Sequence, residues 1–501
     1  MKPLESYARN RMRRLLPVLL VAFGLSACAP PLKLGEPAAL PTQFHEVAPV
    51  NADTQPALSD AELARWWTQF NDPLLTQLIE QALAHNYDIA LAAARIDQAR
   101  AGVRFAWSQL LPSVGAGVEG GSYHGGATAL EFQELLGIDD LNAQFWRVGL
   151  QTQWEIDVFG RGRARLSAAH ALTAAAVGDA QAVRLATIAV VADLYTAYRG
   201  LQEQRTLLEK SHQVAADFVV IAQHSYDAGA VLSTDIDAAR AGLAQVDARR
   251  EEIGMTLTQT RLALEQLCAV APGTYAAGLE EEQRLPQPLA AIAPGQPVDL
   301  LMRRPDLIAA RARLLASVNQ SDAARLNYWP TVSLSALLAR NGWTIAGRSL
   351  GPSTFWLFGA ALSLPLIDFG ARRSQVEAND AQAYQAFVAY EKTAQGALYD
   401  VEQALGRLAR QQQLQTARAQ EVTHRSDVLA KTMRQYQVGN VGRLDIDQAR
   451  VALLNSQSAL VTGDMGLIQA QVALFRAMGG GWQAAAAPQP ATDEPGPSAA
   501  N

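Results

Sequence analysis

Two long stretches of the chain carry apolar residues with the spacing of packed helices. No proline lies between Gly160 and Gly229 or between Gly370 and Gly439, and apolar residues there recur every three or four positions. This spacing predicts two very long helices, each with two apolar stripes and therefore buried on two sides. About 65 residues at 1.5 Å per residue would extend roughly 100 Å. A glycine-centred turn and a return helix of about 35 residues are predicted to follow each one.

Four shorter segments alternate between apolar and polar residues with the period of β-strands. They lie at about 112–124, 145–157, 330–341 and 354–367. In the second, Val148, Leu150 and Trp154 share one face, and in the fourth Trp356 and Phe358 do. The first segment is glycine-rich and shows the weakest pattern. Alternation over about ten residues with one apolar face is typical of outer-membrane β-strands.

The chain repeats its own plan. Tyr226 and the fourteen residues after it match the segment from Tyr436 at an offset of 210, whereas Pro112 matches Pro330 at an offset of 218. One insertion in the loop Gly120–Gln144 explains the change of offset. The two halves, near 70–270 and 297–480, share one order: helix, two strands, long helix, turn and return helix. The first helices are predicted at Tyr87–Leu110 and Pro305–Tyr328, the second beginning with a proline that is tolerated there.

The N-terminus has the pattern of a secretory signal. Basic residues precede the apolar run Leu15–Leu25, which is too short to cross a bilayer. The end of that run resembles the bacterial lipobox, which predicts that Cys28 is acylated and becomes the mature N-terminus. An ordinary signal with an incidental cysteine is the alternative. Ala29, where an aspartate would retain a lipoprotein, implies sorting to the outer membrane, and several acyl chains would anchor the protein stably.

Composition argues against several other classes of protein. The net charge of −6 excludes a strong nucleic-acid footprint, and no internal stretch is expected to match the roughly 18 to 20 apolar residues of a membrane helix. After Cys28 the only other cysteine is Cys268, so no disulfide framework is expected, and its helical context predicts a buried, inert thiol. The histidines are scattered without metal-ligand spacing, and Gly115–Gly120 fits a dinucleotide motif only by accident, within a strand. We expect no metal, no cofactor and no enzymatic activity.

The four strands of one chain predict an oligomer. An open four-stranded sheet would present unpaired backbone groups to lipid, so strands from several chains must close one barrel. Two chains would give eight strands and a filled interior, whereas three would give twelve strands and a lumen. A homotrimer is therefore favoured for a conducting protein.

Several ordered motifs resemble those of one family. They are Arg65-Trp66-Trp67 with Asp72-Pro73, Asn86-Tyr87-Asp88-Ile89, Arg303-Arg304-Pro305-Asp306-Leu307, and the two Tyr-x-x-Gly turns. The chain resembles the TolC-like outer membrane factors, and its lipobox resembles the NodT/OprM-type lipoproteins. The resemblance implies an α+β membrane protein: a trimeric twelve-stranded outer-membrane β-barrel, four strands per chain, continued by a long periplasmic α-helical barrel. It also implies a periplasmic adaptor, an inner-membrane pump of the RND type, and passage of small molecules such as drugs out of a Gram-negative bacterium.

The expected domain layout follows from the repeat. It comprises a signal peptide (1–27), an anchor and extended segment (28–72), a first repeat (73–270), a linker (271–296), a second repeat (297–480) and a disordered tail (481–501).

The helix-turn tips at 229–234 and 439–444 are the candidate functional sites. In the family such tips meet the adaptor, which implies a docking role for five residues: Tyr226, Gly229, Tyr436, Gly439 and Arg443. Helix capping by the glycines is expected at the same time.

The candidate pore residues are Asp445, Gln448 and Asp235. Repeated around a threefold axis, Asp445 would form a ring of carboxylates that favours cations. The alternative for each aspartate is a helix-start residue. Relatives often place a second aspartate where this chain has Gln448. Since the two tips differ in sequence, we expect them to contribute unequally to gating and docking.

Two other functions fit parts of the pattern. A non-conducting periplasmic scaffold lipoprotein would explain the long helices, but it has no need of a strand face bearing Trp356 and Phe358. A channel for type I protein secretion would share the whole architecture. Efflux of small molecules is the favoured function.

Overall fold

A computed structural model describes residues 32–36, 39, 41–46, 60–124, 142–281, 284–289, 292, 297–299, 303–345 and 347–480. The predicted signal sequence, Cys28, the C-terminal tail and most of the loop Gly120–Gln144 lie outside these residues. Within them the helices are α1 (Asp60–Ala64), α2 (Pro73–His85), α3 (Tyr87–Ser108), α4 (Arg161–Asp227), α5 (Ser233–Leu267), α6 (Ala276–Glu280), α7 (Pro305–Arg325), α8 (Ala371–Gln437) and α9 (Arg443–Ala477). The strands are β1 (Ser113–His124), β2 (Asn142–Ile156), β3 (Thr331–Ile345) and β4 (Arg348–Ser363).

The long helices confirm the helical spacing of the sequence. The helices α4 and α8 each have 67 residues, and the return helices α5 and α9 each have 35. Each long helix ends where a glycine adopts a positive φ angle, 73° at Gly229 and 76° at Gly439. These lengths are possible because neither proline nor a cap residue interrupts the apolar stripes.

Two helices are more apolar than we predicted from the sequence. Both α4 and α9 contain an 18-residue window whose length and composition would permit a membrane span. The expectation that no internal stretch has this character is therefore wrong. The windows are partly buried within the chain, as alanine-rich core helices also are.

The four strands form one antiparallel sheet in the order β1-β2-β3-β4. Its register separates two faces, because side chains alternate along each strand. One row across the sheet is Ala116, Leu150, Leu338 and Trp356. A row of the opposite face is Glu119, Arg147, Asn341 and Ser353. The sheet therefore has the apolar and the polar face that the alternation predicted.

The strand ends differ from the predicted ones. β2 begins at Asn142 instead of 145, β3 continues to Ile345 instead of 341, and β4 runs from Arg348 to Ser363 instead of 354 to 367. Near the β3–β4 turn the outward face carries polar residues and glycines, so the alternation fades although the ladder continues. The early end of β4 precedes Pro365, which has no N–H to donate to a ladder. Two helices also end earlier than predicted, α3 at Ser108 and α7 at Arg325, the latter followed by the 3₁₀ turn Leu326–Tyr328.

The chain forms two compact units, and each takes segments from both repeats. One unit combines 97–175 with 311–389 and contains the sheet. The other combines 37–96, 176–310 and 390–501 and contains the main hydrophobic core. In that core the ring of Trp66 stacks on Phe475 with centroids 5.0 Å apart. The aromatic motif of the sequence is thus a packing element.

Candidate functional sites: the two helix-turn tips

The two tip turns have the same backbone closure. They comprise residues 228–232 and 438–442. In the first, the N–H of Gly229 donates to the carbonyl of Tyr226 at 2.8 Å; in the second, Gly439 donates to Tyr436 at 3.0 Å. Nothing lies within 4 Å of a Cβ built on either glycine, so the left-handed φ angle, and not lack of space, requires glycine here.

Asp235 and Asp445 cap the return helices. The Oδ2 atom of Asp235 accepts the N–H of Leu232 at 2.9 Å, and that of Asp445 accepts the N–H of Gly442 at 2.8 Å. This is one half of a capping box, in which the third helical residue reaches back to the N-cap N–H. Both carboxylates remain exposed. A capping role is therefore visible for both, and the pore role of Asp445 stays a prediction.

An ion cluster at the second tip was missed by the sequence analysis. The Nε atom of Arg443 donates to Oδ2 of Asp447 at 3.0 Å, and Arg450 Nη1 lies 3.7 Å from Oδ1 of the same carboxylate. The side chain of Asp447 is fully buried, and Arg443 also lies 3.5 Å from Asp217 on α4. The spacing of Arg443, Asp447 and Arg450, four and three residues along a helix, was the available signal.

Among the residues that the structure describes, the first tip has no equivalent cluster. The residue matching Arg443 is Ser233, and the residue matching Asp447 is Asp237. The side chain of Asp237 is 76% exposed, and its contact with Arg240 is 4.0 Å long. Such an exposed pair contributes little to stability. The two turns therefore have the same backbone geometry. They differ in the charged side chains that hold the return helix in place.

Both tips expose apolar side chains. Leu232 and Val438 are 71% and 70% exposed, and Tyr226 and Tyr436 are 45% and 44% exposed. Gln448 faces solvent one turn beyond the second tip. Apolar groups exposed in such turns are typical of surfaces that meet another protein.

A second cluster surrounds Arg304, from the sequence motif that begins α7. Its guanidinium donates to Asp306 at 2.6 Å, to Asp400 on α8 at 2.9 Å and to the carbonyl of Ala477 at the end of α9 at 3.1 Å. These residues line a cavity of about 410 Å³ together with Arg476 and others. Arg304 thus joins three helices through charge-assisted hydrogen bonds.

Asp193 on α4 is the most perturbed carboxyl near this region. Burial raises its pKa to about 6, although Arg476 and Arg407 act in the opposite direction. Its Oδ1 atom is buried without a hydrogen-bond partner. A carboxyl in such surroundings changes its charge in mildly acidic solution.

Cys268 is buried at the end of α5, as expected. Its Sγ atom lies 3.5 Å from the carbonyl of Leu78, and burial raises the pKa of the thiol to about 11. The thiol therefore stays protonated at neutral pH and is unreactive.

Comparison with known proteins matches these features to one family. The family model described as "Outer membrane efflux protein" matches residues 78–270 and 297–480.

Curated relatives match over nearly the whole chain. The outer membrane protein OprJ of Pseudomonas aeruginosa is 31% identical over 92% of this chain and 96% of its own length. The toluene efflux pump outer membrane protein TtgC of Pseudomonas putida is 26% identical over 94% of this chain and 96% of its own. Among solved structures, the outer-membrane channel OprN is 26% identical with a TM-score of 0.79, covering 91% of this chain and 100% of that one.

Proposed function

The chain belongs to the outer membrane efflux protein family, and from this premise we propose that three copies close one channel through which an efflux system releases small molecules. As a member of this family the protein lies in the outer membrane of a Gram-negative bacterium. We propose a transport role without an enzymatic step.

The observation that carries this proposal is the open sheet. Among the described residues β1 pairs only with β2, and β4 pairs only with β3. The apolar face exposes Trp356, Phe358 and Leu362, each about 70% exposed. A sheet with lipid-facing side chains and unpaired edges is stable in a bilayer only when other copies complete the ring. Three copies supply the twelve strands that leave a lumen.

Single-channel recording of the purified protein in planar bilayers tests the proposal, together with the mass of the detergent-extracted assembly. We expect a trimer with discrete conductance steps that become larger or more frequent in the Asp445→Ala variant. A trimer that never conducts, with or without that substitution, would support the non-conducting scaffold instead.

We propose that the tips bind a periplasmic adaptor, which links the channel to an inner-membrane pump of the RND type. The exposed Leu232 and Val438 support a protein partner at both turns. A photo-crosslinking residue at position 232 or 438 should capture the adaptor in cells. The same residue at Met255, exposed on the return helix α5, serves as the control.

The second tip is proposed to be the gate. Arg443 connects α9 to Asp217 on α4, so its contact resists separation of these helices. Asp445, beside it, is proposed to act through its charge on passing cations, with Gln448 exposed nearby. The weaker charge contacts of the first tip support unequal roles for the two turns.

Lipidation of Cys28 and the domain layout from 1–27 to 481–501 remain proposals. Acylation would add an anchor to a barrel that already spans the membrane. We expect Cys28→Ser to abolish incorporation of labelled palmitate while the trimer still fractionates with outer membranes. Palmitate incorporation into that variant would rule out this acylation site.

A further inference from the structure

One basic side chain lies on the apolar face of the sheet. Arg340 on β3 is paired directly with Val148 on β2 and with Thr354 on β4. These side chains belong to the face that carries Leu338 and Trp356, because residues two positions apart point to the same side of a sheet. In the described parts of the four strands, Arg340 is the only arginine, lysine, aspartate or glutamate on this face.

Arg340 differs from the arginine on the opposite face of the sheet. There, Arg147 lies 3.4 Å from a carboxylate oxygen of Glu119 on the next strand. The side chain of Arg340 is exposed, and no hydrogen bond or ion pair joins it to any residue that the structure describes. The same is true of the hydroxyl group of Thr354. Two hydrogen-bond donors therefore lie side by side on an apolar surface, since the Cβ atoms of directly paired residues are about 4.5–5.5 Å apart.

A groove lies beside these two donors. Its volume is about 450 Å³, and both Arg340 and Thr354 line it. The other side chains that line it on this face are apolar: Ala116, Val118, Val148, Leu150 and Leu338. The groove thus combines an apolar lining with a few polar groups, which is typical of ligand sites. All of its residues belong to one chain, so it does not need a second copy.

The height of Arg340 on the sheet corresponds to the outer border of a membrane. The apolar row nearest the helices contains Val332 and Ile156, and Val332 lies eight positions before Arg340. Eight residues at about 3.4 Å each, tilted by about 40°, rise roughly 20 Å through an apolar band that is about 25 Å tall in such barrels. One row further out, the indole of Trp146 lies against Gly342, where a Cβ would be 2.5 Å from its Nε1 atom. Aromatic girdles mark the borders of that band.

We propose that Arg340 and Thr354 bind a phosphate group of lipid A, the phosphorylated glycolipid of the outer leaflet, and that one of its acyl chains lies in the groove. The guanidinium matches the charge and the geometry of a phosphate, and the hydroxyl supplies a further donor. The proposal rests on the proposed channel lying in the outer membrane. It adds a binding site on the outside of the barrel, away from the path of the transported molecules.

The cost of an unpaired cation supports a bound anion. An arginine on the lipid-facing side of a barrel destabilises it most at the centre of the bilayer and little at the border. Near the border, the long side chain of Arg340 can extend towards the headgroups while its methylene groups stay in the apolar layer. Basic pockets on other membrane proteins bind lipid phosphates in this way.

Titration of the purified full-length protein with lipid A, followed by native mass spectrometry, tests the site. Lipid A from which the phosphates have been removed is the second probe, and inorganic phosphate is the third. We expect lipid A to bind at least roughly tenfold more tightly than its dephosphorylated form, because a charge-assisted hydrogen bond is lost with the phosphate. Equal binding of the two forms would overturn the role of the phosphate. Displacement of lipid A by an equal concentration of inorganic phosphate would overturn the role of the groove.

Substitutions assign the binding to this face of the sheet. Arg340→Ala should weaken the binding of lipid A roughly tenfold. Arg340→Lys should restore part of it, because lysine keeps the charge without the planar fork. Thr354→Val keeps the shape and removes the hydroxyl, and should weaken binding roughly threefold. The matched control is Arg147→Ala, which removes an arginine at nearly the same height from the opposite face and should bind lipid A as the wild type does.

Single-channel recording of the same preparations separates this site from the channel. A wild-type trimer that conducts, yet binds lipid A no more tightly than Arg340→Ala does, would overturn the site and leave the channel proposal intact. Equal losses of binding in Arg340→Ala and Arg147→Ala would also overturn the site. Binding of lipid A that depends on Arg340, in a protein that never conducts, would support the site and overturn the channel.

Discussion

Arg443 donates a 3.0 Å hydrogen bond to Asp447 across one turn of α9, and the carboxylate that accepts it is completely enclosed by the protein. A buried carboxylate is costly unless cations and donors compensate it. Arg450 supplies a second cation at 3.7 Å. The matching carboxylate of the first repeat, Asp237, faces solvent and does not need this support.

Replacing Arg443 with alanine should loosen the second tip. The buried Asp447 would lose its charge-assisted hydrogen bond, which is worth about 1.5–3 kcal/mol. We expect the open fraction in single-channel recordings to increase by roughly tenfold, which corresponds to the lower end of that range. The control is Arg240→Ala at the first tip, the position that matches Arg450, since the ion pair of Arg240 with the exposed Asp237 is 4.0 Å long. Equal effects of the two substitutions would contradict an unequal role for the tips.

Two substitutions of Asp445 separate its charge from its cap. Asn keeps an oxygen that can accept the N–H of Gly442 and removes the charge, whereas Ala removes both. We expect Asp445→Asn to lower the preference of the channel for cations, because the carboxylate would no longer act on ions in the pore. Ion selectivity from reversal potentials measures it. The matched pair Asp235→Asn and Asp235→Ala, at the equivalent cap, should change helix-end stability alone. If ion selectivity is unchanged in Asp445→Asn, the role of Asp445 is limited to capping the helix.

Asp193 should make stability depend on pH between about 4 and 6. Burial raises its pKa from 3.8 to about 6, so in this window the folded chain binds more protons than the unfolded chain. The free energy of unfolding therefore falls as pH rises through the window, by up to about 3 kcal/mol. Because of the Asp193 carboxyl, the midpoint of thermal unfolding of the extracted protein should be higher at pH 4 than at pH 7. Asp193→Asn should flatten that slope, and an unchanged slope would exclude Asp193 as its source.

Tyr195→Phe should weaken the attachment of α2 to α4. The hydroxyl of Tyr195 donates to Asp72 Oδ2 at 2.7 Å, and Asp72 also caps α2 through the N–H of Leu75 at 3.0 Å. Losing a buried hydrogen bond to a charged group should cost about 1.5–3 kcal/mol. Urea unfolding of the extracted protein measures this loss. Tyr198→Phe, one turn away on the same helix and without this bond to Asp72, is the control, and an equal loss there would assign the effect to packing.

Local features of the chain could be predicted because neighbouring residues produce them. The uninterrupted apolar spacing between Gly160 and Gly229 predicted α4 nearly to the residue, and the glycines of both tips predicted the turns. The strand ends were less well predicted. Beyond the lipid-facing part of β3 the outward positions need not be apolar, so the ladder continues to Ile345 after its pattern has faded.

The roles of the tip residues needed the tertiary structure. Asp237 and Asp447 occupy matching positions in nearly identical sequence contexts, yet one is 76% exposed and the other fully buried. Arg443, where the first repeat has Ser233, marks the second site in the sequence, but the burial of its partner depends on the helix that lies alongside.

By itself the sequence determined the repeat, the long helices, the four alternating strands and the family. These depend on periodicity and chain connectivity, which are properties of short segments and of their order. Only the tertiary structure decided which side of each repeated element is covered: Ala309 is enclosed and its counterpart Leu91 is open. The physical reason is that equivalent helices have different neighbours, since β2 and β3 pair within the chain whereas β1 and β4 are left at its edges.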